Sequence, residues 1–119
     1  MAPPAAVPVV LPKPETYRNA LFSQIARRLP CRWPAEHVCS GDHMWCHSNH
    51  QADGKGMGLK ASDACGMVAC KNAHDEYDQG RRFSYEQKAE YFARASLDSL
   101  VDMIEGGWLV PSLAPLTDL

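Results

Sequence analysis

Apolar residues recur along this chain with two different periods, and the changes of period mark its elements. From Tyr17 to Leu29 the run YRNALFSQIARRL sets Leu21, Ile25 and Leu29 four apart with Phe22 beside them, which is the spacing of one helix face. Thr16 stands where an N-cap belongs, Arg27 and Arg28 fall in the last turn, where they complement the helix dipole, and Pro30 stops the helix. Met44 to Asn49 predicts a short strand, and ACGMVACKNAHDEYDQG predicts a second strand passing into a helix that ends at Gly80. The last element is the clearest. Ser84 with Gln87 three residues on makes a capping box, and Ala89, Phe92, Ala93, Leu97, Leu100, Val101 and Ile104 mark one apolar face until Gly106 and Gly107 end the helix. Trp108 to Val110 is expected to fold back on the core.

A chain of 119 residues with 45% hydrophobic content can bury one modest core, so the elements belong to one α+β domain, residues 15–119. Residues 1–14 hold five of the nine prolines, which predicts an extended, polyproline-like tail. That start has neither a basic n-region nor an unbroken apolar h-region, and no apolar run approaches the roughly 20 residues that span a bilayer. The reading is a cytoplasmic protein with no membrane partner. Five cysteines, an odd number without a secretory leader, are then expected to be free or on metal.

Charge argues weakly against a nucleic-acid partner, since the chain is formally -2 with a pI near 6.2. The average hides a gradient. Residues 16–60 carry six basic groups against three acidic, whereas residues 84–119 carry two against six. DNA, if bound, meets the first half, where Arg27, Arg28, Lys55 and Lys60 are the candidate contacts.

Candidate chemistry concentrates between Trp45 and Asp78, which hold three of the five histidines and three of the five cysteines. Gly54, Gly56 and Gly58 alternate with Lys55, Met57 and Lys60 in a loop suited to close approach of a phosphate, although no GxxxxGK[ST] pattern is present. His74 and Asp78 stand at i, i+4 on the predicted helix, so both can grip one divalent ion. Cys31 and Cys39 flank a turn of seven residues and can present two thiolates to one zinc, with His37 and His43 as alternative ligands or simply loop histidines. A strand with His47, a loop with Asp63 and a helix with His74 and Asp78 give the order of a ββα-metal unit. Phosphodiester hydrolysis needs an activated water and a charge sink. A strand histidine, whose reference pKa is about 6.5, suits the first and a helix-held ion the second.

The run CHSNHQADGKGMGLKASD followed by ACKNAHDEYDQG resembles the YbcO-type phage and prophage nucleases, a branch of the HNH, or His-Me finger, endonucleases. The resemblance extends from about Tyr17 to Gly80 and is most specific at HSN, GKGMGLKASD and HDEYDQG. It implies a small ββα-metal core with flanking N- and C-terminal helices, and a bacterial host. His47 matches the general base, His74 the helix ligand of a catalytic Mg²⁺ or Mn²⁺, and Asp78 a second ligand. Asp63 takes the place of a residue that orients the site, and Asn49 that of one positioning the phosphate. The family also holds a structural zinc with two pairs of cysteines. Cys31, Cys39 and Cys70 fall at three of those positions, while Ala73 stands where the fourth is expected. Cys65 or Cys46 is the economical replacement, unless packing takes the place of the zinc.

Two functions follow as expectations. The first is a metal-dependent DNA endonuclease; the second is a zinc-stabilised DNA-binding or adaptor module in which the same side chains only hold the fold. A homodimer is left open by either.

Overall fold

A computed structural model of the chain describes residues 18–49 and 61–110. Within them lie α1 (Leu21–Ala26), β1 (His43–His47), β2 (Gly66–Cys70), α2 (Lys71–Gln79) and α3 (Tyr85–Glu105). The class is α+β. β1 and β2 form a two-stranded antiparallel sheet with His43 opposite Cys70 and His47 opposite Gly66, and α2 follows β2 directly. The tail 1–14, Thr16, His50, the glycine loop with Lys55 and Lys60, and residues 111–119 lie outside the described residues.

A sheet of two strands is marginal alone, so its stability comes from what covers it. Side chains alternate across each strand, and the core divides accordingly. On one face Cys46, Met67 and Ala69 pack with Ala73 and Tyr77 of α2, Phe92 and Ala95 of α3, and Trp33. On the other, Trp45 and Val68 pack with Phe22, Ala26, Leu29 and Met103. Every residue of β2 is buried, because α3 lies along it and enters both clusters. Gly66 is dictated by this packing: a Cβ there would stand 2.4 Å from the Trp45 ring, whose Nε1–H donates to the Asp63 carbonyl at 2.8 Å.

α1 is shorter than its apolar period predicts. Its N-cap is Ala20, which makes no side-chain cap bond; the Asn19 side chain just before it accepts the Leu21 N–H at 3.0 Å, while the Asn19 N–H donates to Asp63 Oδ2 at 2.6 Å and Arg18 Nη1 to the Ala61 carbonyl. At its other end Arg28 and Leu29 donate to Ile25 and Ala26, three residues back, so the helix tightens into a turn after Ala26. Arg27 and Arg28 therefore stand beyond the last helical turn. Both are exposed, and Arg28 lies 5.6 Å over the Trp108 ring, a cation-π contact.

β1 runs from His43 to His47 instead of from Met44 to Asn49. Ser48 adds one bond to the Cys65 carbonyl, after which the Asn49 N–H turns to the Tyr77 hydroxyl at 2.8 Å. α3 begins with the expected capping box, Ser84 Oγ accepting from the Gln87 N–H and the Gln87 side chain accepting from the Ser84 N–H, worth about 1 kcal/mol. Its buried face, however, is Phe92, Ala95, Ser99 and Met103. Leu97 is 58% exposed and Leu100, Val101 and Ile104 are 40–44% exposed, so the helix is rotated from the face its large apolar residues mark. Small residues bring it close to the sheet. Ser99 Oγ accepts from the Val68 N–H at 2.9 Å and donates to the Ala95 carbonyl, which satisfies a backbone donor on the outer edge of β2. The segment after α3 folds back in part: Trp108 and Leu109 donate to the Met103 carbonyl and Leu109 packs on the second cluster, while Val110 is exposed. No helix among the described residues is long and apolar enough to cross a membrane.

Candidate functional site

His47 is the last residue of β1, partly buried, with Nε2 2.6 Å from Asp63 Oδ1. The other Asp63 oxygen accepts the Asn19 N–H, and Arg18 Nη1 stands 3.6 Å from the carboxylate. Burial alone would raise the Asp63 carboxyl. The hydrogen bonds from His47 and Asn19, with the charges of His47 and Arg18, outweigh it and hold the group below its ordinary value. A carboxylate at Nε2 fixes the proton there and leaves Nδ1 as the basic nitrogen.

A second group of side chains hangs from the neighbouring residue of the same strand. Cys46, His74 and Asp78 can each offer a donor atom, and these atoms lie within 4.8 Å of one another. Alternation turns Met44 and Cys46 toward α2, where Met44 Sδ is 3.0 Å from His74 Nδ1. One helical turn apart, His74 Nε2 and Asp78 Oδ2 are 2.8 Å from each other. The hydrogen bond to Asp78 raises the His74 pKa, burial lowers it, and the charges of Asp78 and Asp75 add to the rise. Asn49 Nδ2 donates to the other Asp78 oxygen at 3.1 Å. Beside these residues Asn49, Tyr77, Asp78, Tyr85 and Lys88 line a cavity of about 200 Å³. Tyr77 itself is buried, which pushes its hydroxyl up to about 12.

The third group is Cys31, His37, Cys39 and Cys70, again with all donor atoms within 4.8 Å. It can hold a metal ion. Cys31 Sγ is 3.6 Å from His37 Nε2. A tetrahedral zinc with Zn–S about 2.3 Å and Zn–N about 2.0–2.1 Å demands an edge of about 3.6 Å. His37 Nδ1–H donates to the Ala35 carbonyl at 2.7 Å, which leaves Nε2 bare on the side of the thiols. Cys70 is the N-cap of α2 and accepts the Ala73 N–H at 3.4 Å. Burial opposes its ionisation, but the N–H groups of Ser40 and Ala73 outweigh that and lower the thiol pKa, whereas burial raises that of Cys31. His43 flanks the group, its Nδ1–H on the Leu29 carbonyl and its Nε2 3.6 Å from Cys39 Sγ.

The structure thus corrects the fourth member of the cysteine set. His37 joins Cys31, Cys39 and Cys70, and Cys65 does not; Cys65 lines a different, apolar cleft with Phe22, Trp45 and Leu97. Ala73, where a cysteine was expected, is fully buried between the sheet and α2. Cys46, the other replacement, belongs with His74 and Asp78. The spacing Cys31-x5-His37-x-Cys39 held the signal for His37, since residues two apart on an extended loop share a side. Arg18 and Asn19, which support Asp63, carried no local sign of that role. Arg27 and Arg28 stand apart from these groups, on α1's far end with Trp108. Compared with protein-family models, with curated proteins and with solved structures, the chain finds no match in any of the three.

Proposed function

We propose that the chain is a metal-dependent DNA endonuclease of the HNH, or His-Me finger, kind, close in design to the YbcO-type nucleases. One observation carries the reading. Consecutive residues at the end of β1, turned to opposite faces of the strand, belong to a carboxylate-held histidine, His47 with Asp63, and to a metal-capable group, Cys46 with His74 and Asp78.

In this reading His47 Nδ1 takes a proton from the attacking water while Asp63 holds the Nε2–H and balances the imidazolium that forms. His74 and Asp78 hold the divalent ion, and Asn49, bonded to Asp78, faces the neighbouring cavity where a substrate group fits. An ion held there by His74 and Asp78 would supply Lewis acidity for the charge that develops on the phosphate and the leaving 3′ oxygen. DNA approaches from the positive half of the chain, where Arg27 and Arg28 are exposed; Lys55 and Lys60 complete that charge by sequence. Cys31, His37, Cys39 and Cys70 hold a structural zinc, a closed site of four protein ligands that ties the loop before β1 to the start of α2. Cleavage of plasmid DNA by the wild type and by His47→Ala across several divalent ions tests the reading.

A further inference from the structure

The two metal-capable groups differ in a way that bears on which ion each takes. Among the described residues the zinc group has four protein donors, whereas Cys46, His74 and Asp78 supply three. We infer that Cys46 is a direct ligand of the catalytic ion, so that this site selects a thiophilic divalent cation such as Zn²⁺ or Co²⁺ over Mg²⁺. The inference rests on the nuclease reading for the word catalytic, but the ligation stands by itself.

Its placement supports a ligand role. Cys46 is fully buried, while the side chains of His74 and Asp78 are 31% and 35% exposed. An ion entering from the open side between the histidine and the carboxylate would meet the sulfur at the floor of the site. The surroundings are already arranged around the donors. Asn49 occupies one Asp78 oxygen and leaves the other toward His74, and Met44 Sδ lies against one ring nitrogen of His74 while the other faces Asp78.

The donor set then decides the metal. Mg²⁺ is bound through oxygen, whereas two of the three donors this group offers among the described residues are the sulfur of Cys46 and a ring nitrogen of His74. A thiolate with an imidazole suits borderline and softer ions, and coordination to such an ion removes the thiol proton outright. This inference replaces the Mg²⁺ or Mn²⁺ that the family resemblance implies with a thiophilic ion.

The test uses the full chain with one equivalent of Zn²⁺ to fill the four-ligand site, followed by titration with Co²⁺. The second site should develop a near-ultraviolet sulfur-to-cobalt charge-transfer band that excess Mg²⁺ does not displace. Cys46→Ser should abolish the band and weaken Co²⁺ binding by at least about tenfold, with Mg²⁺ binding nearly unchanged. Cobalt-edge X-ray absorption of the wild type, which needs no variant to fold, should find one sulfur in the first shell of the second ion. Absence of sulfur there, or a band that persists in Cys46→Ser, overturns the inference. A chain that cuts DNA without sulfur ligation keeps the nuclease reading and loses this one; sulfur ligation without cleavage does the reverse.

Discussion

His47 Nε2 stands 2.6 Å from Asp63 Oδ1, and the other Asp63 oxygen receives the backbone N–H of Asn19 at 2.6 Å. Both bonds run toward Asp63, so only a group with two acceptors serves. Asp63→Asn keeps both contacts only if its oxygen accepts the Asn19 N–H and its NH₂ donates to His47 Nε2, which moves the imidazole proton to Nδ1, the nitrogen that must accept the proton of water; the alternative orientation sets its NH₂ against the Asn19 N–H and loses that bond. The expected result is a fall in DNA cleavage of about 10²-fold or more, within the range that general-base assistance contributes, at little change in DNA affinity. Single-turnover cleavage beside a binding titration checks it.

The same carboxylate makes stability depend on acid. Because Asp63 titrates below its ordinary value of 3.8 when folded, its contribution is fully present above that pH and disappears as pH falls through the lower folded value. Urea unfolding of the wild type and of Asp63→Asn should therefore show a stability gap at neutral pH that narrows below pH 3.8. A gap that is constant or widens toward acid contradicts the assignment.

For the zinc, metal analysis of the purified chain should find about one zinc that survives mild chelation. His37→Ala and Cys70→Ala should each lose it and lower the melting temperature, while Cys65→Ala, outside the group, should retain it. Fully folded protein free of zinc contradicts the site.

Gly66→Ala probes the packing that places Asp63. Its Cβ would meet three atoms of the Trp45 indole between 2.4 and 2.7 Å, and the strand cannot shift without disturbing the β1 pairing. Destabilisation of about 1–3 kcal/mol is expected, with a change in tryptophan fluorescence; a neutral substitution would show that the ring moves freely.

Local signals were the legible ones. The Ser84–Gln87 capping box sets the start of α3 and Gly80 the end of α2, because caps and breakers act through neighbours in sequence. α1 starts later than its apolar period predicts: Asn19, whose side chain accepts the Leu21 N–H, and Arg18 are tied to Asp63 and Ala61, more than forty residues away. The buried face of α3 differs from the one its large apolar residues predict for a similar reason. Ser99 is buried for its bond to Val68, a long-range demand that overrides the preference of Leu97 and Leu100 for the interior. In the site, the pairs on one helix or one strand could be read from spacing. His37 completes its group only through the path of a loop, and Cys46 joins His74 only once the sheet packs on α2.

The central claim is tested most directly by supercoiled plasmid incubated with the wild type and with His47→Ala, each loaded with Zn²⁺, Co²⁺, Mn²⁺ or Mg²⁺. The account predicts nicking by the wild type with at least one ion. It predicts loss of about 10²- to 10⁴-fold in rate for the variant, which keeps its melting temperature and DNA affinity. Wild-type protein that cleaves no form of DNA with any of these ions, or a variant that cleaves as fast, would contradict it.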